Sequence, residues 1–418
     1  MVKKILLQNN IPVLLESVKE VRSLCIGIWV KVGARNETFE KNGISHFLEH
    51  MFFKGTESRT AEGIAMETDS LGAELNALTS SEYTLFYIKA LDEYIGKGVE
   101  ILTDIFMNST FPEQDIEKEK SIINEEIKMV EDTPSDYIHE LFSKQVWGET
   151  GLGQPVLGKS ETIETFTRGD LVKHINAYYG PNNIIVACSG NFTENEFTGY
   201  LNSGLGRLQR DGQVIADTSP AFRGGMQVVT KDLSEAHVSL GVRGLPYNSE
   251  DRYSMHLLNT VLGSGYSSRL FQKIREKRGL AYSIYSYHVS YYDTGLWAVY
   301  AGTDKKHLNE VIDITVDEMT NLAKTINHDE LQRAKAQLKG NLILALESTS
   351  NKMTNIAKQE IYYGKYYSPT EVIKMVEAIT LDELKALAQK LMNRNHFALT
   401  VYGPVNDGDV RDIGKLLQ

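Results

Sequence analysis

The chain has 418 residues, of which 42% are hydrophobic and 24% are charged, a composition typical of globular proteins. This length exceeds what a single hydrophobic core usually organises, so we expect two domains. The net charge of -11 argues against a nucleic-acid partner, because the chain has no basic excess to neutralise phosphates.

The predicted elements begin with two strands at residues 11–17 and 24–32, which we expect to pair as a hairpin because polar residues separate them. Residues 43–53 then have the pattern of an apolar helix. The next predicted helix covers residues 60–71, with Thr60 as its N-cap and Gly72 at its end.

The following segment, residues 74–91, is rich in β-branched and aromatic side chains and predicts strands. We expect helices over residues 92–108, over 112–133 and over 135–147, because Pro112 and Pro134 bound the middle one. The run IIVACS at 184–189 predicts a further buried strand.

The N-terminal run MVKKILLQNNIPVLLE is too short for a signal-peptide core, because residues 8–10 are polar. No apolar run reaches the roughly 18 residues that a membrane helix needs. Cys25 and Cys188 are far apart in apolar segments, which predicts two buried free thiols and not a metal or redox pair. We therefore expect a cytoplasmic protein with no membrane partner.

The stretch LQRDGQVIADTSPAFRGG at 208–225 is polar, contains proline and glycine, and lacks periodicity. It predicts a linker between an N-terminal domain, residues 1–215, and a C-terminal domain, residues 216–418. The second half repeats the pattern of the first: a strand, a polar loop, and an apolar helix that ends at glycine.

Aligning HFLEHMFFKG with HLLNTVLGSG puts Asn259 where the first half has Glu49, and Thr260 where it has His50. One interpretation is a duplication in which only the first copy kept its chemistry. The other is a chance match between two amphipathic helices.

The stretch GISHFLEHMFFKGT places His46, Glu49 and His50 on one helix face, because positions i, i+3 and i+4 project together. Two imidazoles at this spacing can bind one Zn²⁺ ion at about 2.0–2.1 Å. The glutamate is then free to accept a proton from a water molecule that attacks a carbonyl. The alternative, a surface pair of histidines with a solvated glutamate, fits poorly because large apolar residues crowd the same helix.

A catalytic zinc site takes a third protein ligand. On the helix predicted at 112–133, Glu126 follows Ile123 by three positions and precedes Val130 by four, so it lies on the apolar side. An inward carboxylate needs a partner, and Glu126 is therefore the predicted third ligand. Glu119, two turns earlier, either orients a histidine or forms a salt bridge to an unidentified basic residue.

The H-x-x-E-H motif, with LGAELNALTSSEYT, EKEKSIINEE and GSGYSSRLFQKIREKRGLAYS, resembles the pitrilysin/insulinase family of zinc peptidases. Within that family it is most similar to the branch of the mitochondrial processing peptidase and its bacterial relatives. The resemblance covers most of the chain. It implies one zinc ion per chain, bound by His46, His50 and Glu126, with Glu49 as the base and Glu119 in support.

The resemblance also implies that Arg275 and Tyr282, in IREKRGLAY, contact the substrate backbone or the transition state. Both are donors that can stabilise a developing oxyanion. The residues alone do not separate Arg275 from Arg269 or Arg278, and a solvated basic helix is the alternative.

The resemblance further implies that Asn76 and Ala77 lie on an exposed edge strand that pairs with the substrate as an added strand. An ordinary edge strand is the alternative. The implied fold is α+β, with two similar domains, each a largely antiparallel sheet covered by helices on one face, that together form half of a clam-shell.

The implied function is that of a zinc-dependent endopeptidase that hydrolyses peptide bonds of unfolded peptides or protein segments inside an enclosed chamber, with a homodimer as the expected assembly. A non-catalytic scaffold, or a peptide-binding partner subunit of the same family, is one alternative. A zinc-binding regulator that recognises peptides without cutting them is another. The complete metal motif favours the enzyme.

Overall fold

The computed structural model describes residues 2–210, 212–213, 219–394 and 397–411. Part of the predicted linker, and the predicted boundary between residues 215 and 216, lie outside these ranges. The strands are, in chain order, β1 (Val2–Leu6), β2 (Pro12–Ser17), β3 (Ser23–Val30), β4 (Glu74–Thr79), β5 (Thr84–Leu91), β6 (Ile184–Gly190), β7 (Gly225–Thr230), β8 (Ala236–Arg243), β9 (Ala281–Ser290), β10 (Gly295–Thr303) and β11 (Ala398–Gly403).

The α-helices are, in chain order, α1 (Ile44–Met51), α2 (Ala61–Ser70), α3 (Ile95–Asn108), α4 (Glu113–Glu131), α5 (Pro134–Trp147), α6 (Ser160–Ile163), α7 (Arg168–Tyr178), α8 (Glu194–Ser203), α9 (Arg252–Gly263), α10 (Leu308–Thr325), α11 (His328–Ala345), α12 (Thr349–Tyr363), α13 (Pro369–Ala378) and α14 (Leu381–Arg394). A π-helical segment, Phe271–Glu276, precedes β9. Helix α2 begins as predicted, with the Thr60 hydroxyl accepting a hydrogen bond from the Gly63 amide.

The chain forms two compact units, and neither is continuous in sequence. The first unit comprises Met1–Met129, Gln154–Asp217 and Ala345–Tyr366. The second comprises Val130–Gly153, Thr218–Leu344 and Tyr367–Gln418. Each half of the chain therefore gives one helix to the unit built mainly by the other half: α5 belongs to the second unit, and α12 to the first.

The first sheet has the strand order β1-β2-β6-β3-β5-β4 and is antiparallel except between β2 and β6. The prediction that β2 and β3 pair as a hairpin is wrong, because β6 lies between them and pairs with both. Strand β6 is buried along its whole length, which is typical of an interior strand. It comes from far along the chain, so local spacing gave no sign of it.

The second sheet has the order β7-β11-β8-β10-β9 and is antiparallel except between β7 and β11. Five strands of the first sheet, β2-β6-β3-β5-β4, have the same order and the same directions. Helix α9 packs on the edge strand β9 as α1 packs on the edge strand β4. The predicted α+β fold with two similar, largely antiparallel domains is confirmed.

The expectation that helices cover only one face of each sheet is wrong, because both faces are covered. In the first unit, helices α1, α3, α4, α7 and α8 pack on the face that carries Ile26 and Ile28. On the opposite face, α12 packs Met353 and Ile356 against Trp29. In the second unit, α5 has the equivalent role and buries Phe142, Val146 and Trp147 against residues of β10 and β11.

Cys25 and Cys188 are both buried and unpaired, as predicted. Cys25 packs with the α12 face of the sheet, and Cys188 packs in the core on the other face. Burial raises the pKa of the Cys25 thiol to about 11, so this thiol stays protonated at neutral pH. Across the ranges that the structure covers, the helices are all too short or too polar to cross a bilayer.

Candidate metal centre

Helix α1 carries the H-x-x-E-H motif on a short element anchored in the core. The helix begins after Gly43, whose φ of 94° lies in the left-handed region that glycine adopts without strain. Phe47, Leu48 and Met51 are buried on the side that faces the hydrophobic core of the first unit. The remaining face carries the three polar side chains of the motif, and those of His46 and His50 reach toward α4.

Helix α4 supplies two carboxylates on its inner side. Ile116, Ile123 and Ile127 bury the apolar stripe that the sequence predicts. Glu119 lies on this side and is only 2% exposed, whereas Glu126 is partly open to solvent. Because the two residues are seven apart, they lie two turns apart on one face of the helix.

The structure brings His46, His50 and Glu126 together. Oε2 of Glu126 lies 3.6 Å from Nε2 of His46 and 3.6 Å from Nε2 of His50. One ligand atom from each residue lies within 4.8 Å of the others. Tetrahedral zinc bonds of about 2.1 Å place ligand atoms about 3.4 Å apart. Two nitrogens and one carboxylate oxygen at this spacing therefore suit a zinc ion with one position left for water or substrate.

The protonation state of His46 also suits a metal. Burial, and then the neighbouring His50, lower the pKa of His46 to about 3. This ring is therefore neutral at pH 7, as a metal ligand must be. Within the described residues, Oε2 of Glu49 is buried and has no hydrogen-bond partner. A buried carboxylate oxygen without a donor is costly, and a water molecule beside the three ligands would supply one.

Burial also raises the pKa of Glu49, and the neighbouring Thr79 only partly opposes this shift. A carboxylate with a raised pKa accepts a proton more readily than a solvated one. Glu49 projects from the same helix face as both histidines, but it is not part of the three-residue ligand group. Its position suits a base beside the three candidate ligands and not a fourth ligand.

Glu119 contacts His50 through the ring nitrogen that does not face Glu126. Its Oε2 lies 3.0 Å from Nδ1 of His50, and its Oε1 lies 2.5 Å from Nζ of Lys54. Because an ionised carboxylate only accepts, Nδ1 of His50 donates and Nε2 keeps its lone pair for a metal. Glu119 therefore makes both contacts that the sequence suggested, one with a histidine ring and one with a basic side chain.

Hydrogen bonds alter both pKa values of this pair. Burial favours the neutral form of His50, but the hydrogen bond to Glu119 and the charges of Glu126, Glu119 and Glu49 together outweigh it and raise the pKa of the ring. Burial likewise opposes ionisation of Glu119, yet His50 and Lys54 hold the pKa of its carboxyl below the usual range. Sequence reasoning missed Lys54, which lies just after the end of α1 at Met51, where no helical spacing links it to His50.

Asn76 and Ala77 lie on β4, the edge strand of the first sheet, next to α1. They pair with Tyr87 and Phe86 of β5 on one side only. The amide of Ala77 donates a hydrogen bond to Oδ1 of Asn76 at 2.8 Å. The predicted edge strand is therefore present beside α1, the helix that carries two of the candidate ligands.

Arg275 and Tyr282 lie in the second unit and contact each other. The guanidinium of Arg275 stacks at 4.5 Å from the ring centroid of Tyr282 and 4.8 Å from that of Phe271. Tyr282 is 80% exposed. Stacking on aromatic rings positions the guanidinium and leaves its N–H groups available as hydrogen-bond donors.

The arginines that the sequence did not separate differ in their partners. Arg269 binds Glu330 at 2.7 Å and Glu318 at 3.3 Å, and its side chain is mostly buried. Arg278 binds Glu310 at 2.9 Å. The carboxylate contact of Arg275 is longer, 3.9 Å to Glu276. Arg275 therefore keeps more of its donor capacity for another partner.

Fold and site together define a protein of two α+β units, with a candidate zinc centre in the first. A family model described as Insulinase (Peptidase family M16) matches residues 12–160, and one described as Peptidase M16 inactive domain matches residues 165–338. The second match contains the repeated helix in which Asn259 and Thr260 stand at the positions of Glu49 and His50.

Relatives match over nearly the full chain. An uncharacterized zinc protease, YmxG, of Bacillus subtilis is 40% identical over 97% of this chain and 98% of its own length. An uncharacterized zinc protease of Streptomyces coelicolor is 36% identical over 97% of this chain and 90% of its own. The chain therefore belongs to the insulinase family of peptidases, family M16.

The fold also matches solved structures. The crystal structure of a protease from Helicobacter pylori superimposes with a TM-score of 0.89 at 23% identity, and it covers 96% of this chain and 99% of that one. This likeness agrees with the two-unit α+β architecture described above.

Proposed function

We propose that the protein is a zinc-dependent endopeptidase with one zinc ion per chain. The observation that carries the proposal is the triangle of His46, His50 and Glu126 with the unpartnered carboxylate oxygen of Glu49 beside it. A zinc ion bound there would polarise a peptide carbonyl and lower the pKa of a bound water. The relatives named zinc proteases support the same chemistry.

The chain's own residues have distinct tasks in this proposal. Glu49 takes the proton of the attacking water and passes it to the leaving amine, as its raised pKa favours. Glu119 keeps Nε2 of His50 directed toward Glu126. Arg275 and Tyr282 donate hydrogen bonds to the oxyanion that develops on the substrate carbonyl.

The proposed substrate is an extended segment of an unfolded peptide or protein. An extended peptide can add to the open side of β4, where Asn76 and Ala77 lie beside the metal-binding helix. A folded substrate cannot expose its backbone for such pairing. A homodimer that encloses the reaction chamber, in a reducing compartment such as the cytoplasm, completes the proposal, and the two unpaired buried cysteines support that compartment.

The test uses Glu49→Gln in the full chain. This variant should bind zinc as the wild type does and cleave a quenched fluorescent peptide about 10²–10⁴-fold more slowly, because the base is lost. Glu125→Gln is the matched control, since Glu125 lies on α4 but pairs with Lys128 on the exposed side. Unchanged cleavage by Glu49→Gln would refute the proposed mechanism.

Metal analysis of His50→Ala is the companion test, because undiminished zinc would remove His50 from the ligand set. The non-catalytic scaffold and peptide-binding alternatives are not favoured, because every residue of the metal motif is present. A wild-type protein that retains zinc and binds peptides without cutting any would revive them.

A further inference from the structure

Glu37 is a buried acid outside the H-x-x-E-H motif, and its carboxylate lies at the start of α1. The residue follows a short helical turn, Ala34–Asn36, and is 8% exposed. Its Oε2 accepts hydrogen bonds from the amide of Gly43 at 2.6 Å and from the side chain of Asn42 at 3.1 Å. Its Oε1 accepts one from the amide of Ser45 at 2.7 Å.

These contacts supply what α1 lacks in its own sequence. The first amides of a helix have no partner inside the helix, and a side chain at the N-cap usually provides one. Here the N-cap is Gly43, which has no side chain. Glu37 reaches the first turn from six positions upstream, and its ionised form places a negative charge at the positive end of the helix dipole.

A helix of eight residues depends strongly on such support, because short helices are marginal in water. Ser45, whose amide Glu37 binds, immediately precedes His46, and Glu49 lies one turn further on. A shift of the first turn would therefore move a proposed zinc ligand and the proposed base together.

The loop before α6 holds the acid in place from the other side. The backbone carbonyl of Pro155 accepts a hydrogen bond from the Asn42 side chain at 3.0 Å, and Gln154 donates one to the carbonyl of Glu37 at 3.3 Å. Burial raises the pKa of Glu37 to about 7, although the bonds from Ser45, Gly43 and Asn42 oppose the shift. An acid retained in so unfavourable a place indicates a specific use.

We infer that Glu37 is a positioning residue of the metal centre, whose carboxylate fixes the first turn of α1 and thereby the placement of His46 and Glu49. It does not touch the three proposed ligands. The inference rests on the proposed zinc site, but it concerns the geometry of that site and not the identity of the substrate.

The experiment compares Glu37→Gln with the wild type in the full chain. The amide keeps the size of the side chain but loses the charge and turns an NH₂ group toward a backbone donor. We expect zinc affinity, measured by competition with a chelator, to fall by about tenfold. We also expect the visible spectrum of the cobalt-substituted protein to change, and kcat to fall with KM unchanged.

The matched control is Glu383→Gln. Glu383 also accepts a backbone amide at a helix start, that of Thr380 at 2.7 Å, but in the second unit. The Glu383→Gln protein should have the zinc affinity, cobalt spectrum and kcat of the wild type. A Glu37→Gln protein with wild-type zinc affinity and cobalt spectrum would overturn the inference. If the wild type binds zinc but cuts no peptide, the proposed function fails while these two readouts still decide the role of Glu37.

A second variant covers the case in which Glu37→Gln does not fold. Asn42→Ala keeps the carboxylate and removes one of its three donors. We expect its zinc affinity to fall about threefold, less than in Glu37→Gln, because the amides of Gly43 and Ser45 still donate to the carboxylate. Wild-type zinc affinity together with a wild-type cobalt spectrum in this variant would also overturn the inference.

Discussion

Glu119 binds His50 through one carboxylate oxygen and Lys54 through the other, at 3.0 Å and 2.5 Å. The acid is buried between the two, so Lys54 matches its charge on one side and the imidazole donates a hydrogen bond on the other. This arrangement fixes the histidine ring and explains why a carboxylate is stable inside the first unit.

The first prediction concerns Glu119→Gln. The amide cannot match the charge of Lys54, and it can present a donor to Nδ1 of His50, which destabilises the ring orientation that leaves Nε2 free. We expect zinc affinity to fall about 10–100-fold, measured by chelator competition. Glu117→Gln is the control, because Glu117 lies on the exposed side of α4 and pairs with Lys120. Equal zinc affinity in the two variants would contradict the role assigned to Glu119.

The second prediction concerns Arg275→Ala. Zinc content should remain that of the wild type, because Arg275 belongs to the second unit and is not among the metal-binding residues. We expect kcat for peptide cleavage to fall about 100-fold, as when one donor to an oxyanion is removed. Arg278→Ala should behave as the wild type does, since Arg278 pairs with Glu310. A larger loss in Arg278→Ala would reverse the assignment.

The third prediction concerns the buried ion pair of Arg59 and Asp104, whose atoms lie 2.6 Å apart. The hydroxyl of Thr56 also donates to Asp104, at 2.8 Å. Burial opposes ionisation of Asp104, but hydrogen bonds from Asn108, Arg59 and Thr56 hold its pKa below the usual range. We expect Asp104→Asn to lose about 2 kcal/mol of stability at pH 7, seen as a lower midpoint of thermal unfolding.

The pH dependence of that loss of stability follows from the direction in which folding shifts the pKa of Asp104. A carboxyl whose pKa is lower in the folded state stabilises the fold above its unfolded pKa of about 3.9, and this contribution disappears as the pH falls through the folded value. The difference between wild type and Asp104→Asn should therefore shrink below about pH 4. A difference that stays constant from pH 7 to pH 3 would show that the charge is not its source.

The fourth prediction concerns α12. Met353 is 1% exposed, and its sulfur accepts a hydrogen bond from Nε1 of Trp29 at 3.4 Å. Met353→Ala should cost about 2–5 kcal/mol, because it leaves a cavity between the helix and the sheet. Met66→Ala, at a side chain that is 66% exposed, should cost far less. Comparable denaturation midpoints for both variants would argue against tight packing of α12 on this face.

The local parts of the site were predictable from the sequence. His46, Glu49 and His50 share a helix face by spacing alone, and the isoleucine stripe of α4 placed Glu126 on its inner side. Each inference used residues within a few turns of one another. The alignment of the two helices agrees with the topology, since α1 and α9 pack on matching edge strands.

The non-local parts were not predictable. Strand β6 separates β2 from β3 although it follows them by more than a hundred residues, and no spacing rule reports such an insertion. Glu37 also escaped, because an acid in a polar loop has no periodicity that marks it as buried. The exchange of two helices between the units, in which α5 joins the second unit and α12 the first, was also not predictable. In the sequence both segments have only the pattern of an ordinary amphipathic helix.

That exchange sets a condition on biosynthesis. The Trp29 face of the first sheet is covered by α12, which is encoded close to the C-terminus, at Thr349–Tyr363. On the ribosome, helices can cover the α1 face of the sheet early. The opposite face stays exposed until most of the chain has been translated. A fragment that stops near residue 215 would expose this apolar face and is expected to aggregate or to recruit chaperones.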